Sequence, residues 1–139
     1  KGGAEAKPFL FYGGCGSHGR AKGWNNYCLN GVWRNDLAKT VSRSASSGIM
    51  TIKQSGFYRI NTHGITLRKT AENASSRVLI DGKVKDLSTQ YGQTGWTEMY
   101  HDLTLPLTKG QTIQLQYMGS NYAFHAWATH SFYTLEFLH

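Results

Sequence analysis

The sequence predicts an all-β domain, a sandwich or jelly roll of eight to ten short antiparallel strands. Three observations lead there. Residues alternate by twos along several stretches, above all from Gly56 to Leu67. There Tyr58, Ile60, Thr62 and Thr66 fall on one side of an extended chain, and Phe57, Arg59, Asn61, His63 and Ile65 on the other. Turn signals recur at short intervals, with 16 glycines against 2 prolines in 139 residues. Aromatic residues are plentiful beside many Thr, Ser and Gln, which suits pleated, half-buried surfaces. The length fits one domain large enough for a core.

Residues 1–6 read as a flexible lead-in and residues 7–139 as a single domain. Phe9 to Tyr12 is a short first strand. A glycine-rich loop follows, carrying Cys15 and Cys28 together with Arg20, Lys22, Trp24 and Tyr27. Buried free cysteines usually lie in apolar segments, so this polar setting favours a local Cys15–Cys28 disulfide closing the loop at 15–28. Two free thiols are the alternative. Gly14 to Gly19 has the glycine spacing of a dinucleotide-binding loop. That motif needs a helix after it to hold the pyrophosphate, and Trp-Asn-Asn-Tyr-Cys follows instead.

Between Val32 and Ser47, Trp33, Leu37 and Val41 recur every four residues, as on a helix. Asp36 and the polar run from Ser42 favour irregular structure with short strands, in keeping with the strands around it. From Gly48 the strand signal is continuous. Ile49 to Ile52 is a strand, and Lys53 to Gly56 turns into the long central one. Lys69 to Ser76 reads as a polar connection, with an N-glycosylation triplet at Asn73. Arg77 to Ile80 and Lys83 to Lys85 flank the hairpin signal Asp81-Gly82. Ser88 to Gly95 reads as a mobile loop. Trp96 to Leu107 is a second long strand with Met99, His101, Leu103, Leu105 and Leu107 on one side. Lys109-Gly110 turns. Gln111 to Tyr117 returns with Ile113, Leu115 and Tyr117 inward. Tyr122 to Ala128 is partly extended, and Ser131 to Leu138 is the last strand. That strand is apolar on both sides, so it belongs inside a sheet and not at an edge.

The order of these segments resembles the C1q/TNF-like superfamily from Gly48 to Leu138, and more loosely at the first strand. Gly56-Phe57-Tyr58-Arg59-Ile60 is similar to its Gly-x-Tyr-x-apolar strand. Leu103 to Leu115 is similar to its Leu-x-Leu, turn, Gly-Asp-x-apolar-x-Leu hairpin, with Gln111 at the aspartate position. Ser131 to Leu138 is similar to its closing strand, with Thr134 at the glycine position. The resemblance implies a jelly roll of about ten antiparallel strands, assembled as a homotrimer and used as a secreted or extracellular recognition or signalling head. It also nominates Phe9, Phe11, Tyr58, Tyr117, Phe132 and Phe137 for the subunit contact. The chain's four Trp, eight Tyr and six Phe fit that expectation, because surplus aromatics are enriched at interfaces. The competing account places these rings in the core of one subunit.

The charge balance, 15 Lys and Arg against 8 Asp and Glu for a net +7, favours acidic partners. Arg20, Lys22, Trp24, Arg68, Lys69, Lys83, Lys85, Trp96, Tyr122 and Trp127 are the candidate ligand-binding residues. Their expected partner is a cell-surface receptor, a matrix protein or an anionic glycan. Basic and aromatic surfaces also bind single-stranded nucleic acid, but an extracellular address argues against that use. No apolar run approaches the ~20 residues of a membrane span, so no membrane insertion is expected.

The sequence shows no Gly-x-Ser-x-Gly elbow and no paired carboxylates, so no enzyme activity and no cofactor are expected. His125 and His130 lack a third ligand at zinc-site spacing. Asp81 and Asp86 are separated by Lys83 and Lys85, which disfavours calcium. Two further readings remain: a lectin-like sandwich, with Trp24, Trp96, Tyr122 and Trp127 stacking on sugar rings, and a structural protein of the extracellular matrix.

Overall fold

The computed structural model describes residues 8–12, 24–26, 31–35, 37, 39–44, 47–68, 74–91, 95–118, 122–124 and 132–139. They form twelve strands: β1 (Pro8–Tyr12), β2 (Trp24–Asn26), β3 (Gly31–Asn35), β4 (Val41–Arg43), β5 (Met50–Ile52), β6 (Gly56–Arg68), β7 (Ala74–Ile80), β8 (Lys83–Gln90), β9 (Gly95–Leu107), β10 (Thr112–Met118), β11 (Tyr122–Phe124) and β12 (Phe132–Phe137). There is no helix among the described residues. The described residues between Val32 and Ser47 are in strands, turns or irregular structure, as the polar residues of this stretch favoured.

The strands make two antiparallel sheets of six. In the first, β6 pairs with β9 along its whole length. Its other edge is shared end to end by β12, opposite Tyr58–His63, and β11, opposite Thr66–Arg68. Beyond β12 lie β1 and β3. In the second sheet, β10 pairs with β7 on one edge and with β5 and β2 on the other, and β4 and β8 form the rims.

The two-residue alternation read from the sequence decides what lies between the sheets. Tyr58, Ile60 and Thr62 of β6 are buried, whereas Phe57, Arg59, Asn61 and His63 face outward. Met99, His101 and Leu107 of β9 turn inward, with Leu103 and Leu105 packed at the edge of the core. Ile113, Leu115 and Tyr117 of β10 close it from the second sheet. Each fully buried aliphatic side chain here stabilises the fold by about 1.5–3 kcal/mol relative to exposure.

The final strand sits between β6 and β1. Beyond it, Leu138 N–H donates to the Phe57 carbonyl and Phe57 N–H to the His139 carbonyl, each at 2.8 Å. The chain end is thereby stitched to the start of β6. Gly56 makes this possible, because a side chain there would collide with the Phe137 ring and the His139 carbonyl.

Two turns at one end of the sandwich are tied together. Asp81 and Gly82 both have positive φ, 52° and 76°, which gives the I′-type hairpin between β7 and β8. The Asp81 carboxylate accepts from Thr112 N–H at 2.9 Å and from the Gln111 amide at 3.0 Å. The Gln111 side-chain oxygen, Oε1, in turn accepts from Thr108 N–H at 2.7 Å. A glutamine in place of the resembled family's aspartate thus gains a donor with which to hold Asp81. These bonds, the Thr112 backbone one first, hold the Asp81 carboxyl below its usual range.

One expectation needs correction. Ser88 to Gln90 are not a loop: β8 continues through them, paired with Ala74–Ser76 of a β7 that starts three residues earlier than expected. The polar segments supply their own cross-strand bond, Ser75 Oγ to Thr89 Oγ1 at 2.9 Å. The described residues make twelve strands, in keeping with a jelly roll of about ten. The addition comes partly from β2, where Trp24–Asn26 of the cysteine-bearing segment pair with β10.

Gly56→Ala is expected to destabilise the domain by about 2 kcal/mol through overpacking. Gly82→Ala, which meets nothing within 4 Å, should cost only the roughly 1 kcal/mol of its positive-φ backbone. Urea denaturation of the two variants side by side checks the ranking.

Candidate functional site

Three polar constellations stand out once the sheets are assembled. The first covers the outer face of the first sheet. Arg59 on β6 grips Asp102 on β9 through two bonds, Nε to Oδ1 at 3.0 Å and Nη2 to Oδ2 at 2.8 Å. Glu136 on β12 lies 3.7 Å from the same guanidinium. Two pairs of residues along β6, the His63 imidazole Nε2 lies 2.8 Å from Glu98 Oε1, and the Tyr100 hydroxyl donates to the same oxygen at 2.9 Å. The His63 and Tyr100 rings stack at 4.7 Å. These bonds have the expected electrostatic signature. The hydrogen bond from Arg59 holds Asp102 below the usual carboxylate range, and His63, then Tyr100, do the same for Glu98. Glu98 in turn raises the Tyr100 phenol. Phe57, 41% exposed, and Tyr100, 59% exposed, offer rings to solvent on this face.

The second constellation bridges the two sheets, with Ser76 and His101 buried and Asp86 at its half-exposed end. His101 turns inward from β9 and reaches two residues of the second sheet. Its Nδ1 lies 2.7 Å from Asp86 Oδ2 and its Nε2 lies 2.6 Å from Ser76 Oγ. A bulge at Val78/Leu79 brings Asp86 opposite Val78, on the inner side of β8. This is a Ser–His–Asp relay, which the sequence did not reveal because its members come from three strands. Ser76 is 1% exposed and His101 3%. A nucleophile must meet its substrate, and this hydroxyl is closed off. The relay is a polar clasp between the sheets, its buried groups satisfied by one another.

The third lies on the outer face of the second sheet. The Arg77 guanidinium carbon sits 3.9 Å from the centre of the Trp24 ring, and Arg77 Nε donates to Gln116 Oε1 at 2.8 Å. Gln114 and Gln116 both donate their amides to Asn26 Oδ1, at 2.6 and 2.9 Å.

Solved structures share this arrangement of strands. Murine APRIL at pH 5.0 matches with a TM-score of 0.78 at 11% identity, over 96% of this chain and 100% of its own. Murine APRIL at pH 8.0 matches at 0.76 and 12%, over the same shares. Eiger TNF from S. frugiperda matches at 0.72 and 11%, over 98% of this chain and 94% of its own. The fold is a TNF/C1q-like jelly roll. No family profile and no curated protein sequence matches the chain.

Within this jelly roll the residues nominated from the sequence do not form one site. Arg68 and Tyr122 are register partners, and Trp96 pairs with the neighbouring Leu67, so these three gather at one end of the first sheet. Trp24 pairs with Met118 at the end of β10. Lys83 and Lys85 lie on β8 beside the Asp81 turn, which contacts the other end of β10. Six residues of strand, about 20 Å, separate those ends. Arg20, Lys22, Lys69, Trp127, Asn73, Cys15, Cys28, His125 and His130 lie outside the described residues. Tyr58 and Tyr117 are 0% and 5% exposed inside the subunit's own core, so their rings have almost no surface to give a second copy. Their inward phase on β6 and β10 is the reason. Phe137 is half-buried, its ring 5.3 Å from that of Tyr58. Phe9 and Phe11 stand opposite Leu135 and Tyr133 in register, and Phe132 opposite His63.

The outer face of the first sheet and Arg77 were not nominated. The outward phase of β6 carried a signal for the face. Arg77 carried none, because its partners are distant in sequence.

Replacing His101 by Leu strands Ser76 and Asp86 and is expected to cost about 2–3 kcal/mol in urea denaturation. Ser76→Ala should cost about 1 kcal/mol. For Asp102 and Glu98 the folded form binds protons less readily than the unfolded one. Their contribution is therefore complete above the ordinary carboxylate range and is lost as the pH falls through the lowered folded values. The urea midpoint should drop between about pH 5 and pH 3, and less steeply in Asp102→Asn.

Proposed function

We propose that this chain is the recognition head of an extracellular, non-enzymatic ligand that assembles as a homotrimer and binds a receptor, a matrix component or an acidic glycan. The observation that carries the reading is the outer face of the first sheet on a TNF/C1q-like jelly roll. A chain of net +7 repels its own copies, and three of its eight carboxylates, Glu98, Asp102 and Glu136, stand on this one face. Arg59 and His63 bond to them there. A copy that docks through this surface presents to its positively charged neighbour the part of the molecule that repels it least.

Phe57 and Tyr100 supply the exposed rings that such an interface buries. In a three-fold ring the contact is heterologous, so this face packs against a different patch of the neighbour. Phe9, Phe11, Phe132 and Phe137, on or near the same sheet, stay in the proposed contact. Tyr58 and Tyr117 leave it because the core already holds them.

Light scattering behind size exclusion tests the assembly. The expected particle has three times the 15.5 kDa of the chain, and Phe57→Glu with Tyr100→Glu should yield folded monomer. A monomeric parent protein at micromolar concentration would overturn the reading.

A further inference from the structure

The outer face of the second sheet is built around a cation, Arg77, to which the described residues offer no counter-charge. Arg77 is fixed from two directions, by the Trp24 ring below its guanidinium and by Gln116 on its Nε. No carboxylate pairs with it among the described residues. The nearest acids along its own hairpin are committed elsewhere: Asp86 points inward to His101, and Asp81 holds the Thr112 turn. A guanidinium carries five N–H donors in a rigid fork. With Nε engaged, the four terminal donors are left, on a group whose orientation is already set. That is the geometry that takes a carboxylate or a sulfate through two parallel bonds.

The surroundings narrow the class of ligand. Asn26, Gln114 and Gln116 form a ladder of side-chain amides across β2 and β10, bonded to one another and exposed to solvent. Amides of this kind exchange their mutual bonds for those of vicinal hydroxyls. An indole beside them offers an apolar body to the C–H face of a sugar ring. Leu87, 57% exposed, stands opposite Arg77 on β8 and extends the apolar margin. A row of amides, an aromatic ring and one oriented cation suit a sugar that carries an acidic group.

We infer that this face binds an anionic polysaccharide, with Arg77 taking a uronate carboxylate or a sulfate and with Trp24, Asn26, Gln114 and Gln116 contacting the sugar. The inference rests on the recognition-head reading and gives it a ligand class and a site. It does not require the trimer, since every residue named belongs to one subunit. Of the ligand-binding residues nominated from the sequence, only Trp24 belongs to this site.

The test is calorimetric titration in about 0.15 M salt, where diffuse attraction is largely screened. The probes are a heparin octasaccharide, a hyaluronan octasaccharide and an oligoglutamate peptide of matched charge. Hyaluronan carries carboxylates and no sulfate, so the first two arms separate the two anion sources. The parent protein should bind at least one saccharide. Arg77→Gln should weaken that binding about tenfold or more, the loss of a charge-assisted pair. Arg77→Lys should recover only part of it, because a point charge cannot form the fork. Asn26→Ala with Gln114→Ala should weaken saccharide binding and leave the peptide unaffected. Lys83→Ala with Lys85→Ala, a change of two charges outside the site, should weaken it less than Arg77→Gln does. Thermal melting of each variant confirms folding. Absence of saccharide binding by the parent overturns the inference. So does a loss that follows charge number irrespective of position, or peptide binding with the same dependence on Arg77. Light scattering on the same samples keeps the two readings apart: a monomer that binds saccharide overturns the assembly alone, and a trimer that does not overturns the site alone.

Discussion

The structure depends on β6 being paired on both edges along almost its whole length. β9 covers one edge from Gly56 to Arg68, and β12 and β11 divide the other. A strand so enclosed cannot slip by one residue without sending Tyr58, Ile60 and Thr62 to the outside and Phe57, Arg59 and His63 into the core. Burying an unpaired arginine between two sheets is far costlier than any gain the slip could bring. The register of β6 therefore sets the register of its neighbours, and theirs sets which side chains each face shows to solvent.

The same alternation separates two surfaces of opposite character. On the first sheet, outward residues of β6, β9 and β12 assemble Arg59 with Asp102 and Glu136, and His63 with Glu98 and Tyr100. Charges there answer one another. On the second sheet the inward turn of Asp86 to His101 removes a carboxylate from the neighbourhood of Arg77, and Trp24 and Gln116 hold that arginine instead. The clasp that joins the sheets and the cation outside them, which no carboxylate among the described residues answers, are two consequences of one placement. The bulge at Val78/Leu79 is what allows it, since it resets the side to which β8 side chains point.

Local pattern was a good guide wherever two-residue periodicity was strong. β6, β9, β10 and the Asp81-Gly82 hairpin follow their sequence signals closely. It failed where polarity suggested a loop. Ser88, Thr89 and Gln90 have no apolar alternation, yet they continue β8 because Ala74–Ser76 lie alongside to receive their backbone bonds. For Tyr58 and Tyr117 the alternation was the better guide than the family resemblance, since both rings lie in the core between the sheets.

By itself the sequence determined the all-β class, the long central strand, the inward set of β6, β9 and β10, and the enclosure of an apolar closing strand. Each of these follows from nearest-neighbour rules: where a glycine turns the chain, and which of two faces a side chain must take. Only the tertiary structure decided that Ser76, Asp86 and His101 meet, that Gln111 holds Asp81, and that Arg77 rests on Trp24. Those contacts join residues on separate strands through sheet pairing and sheet stacking. Their partners are chosen by register and bulge position, which are properties of the packed whole and are not written in any one segment.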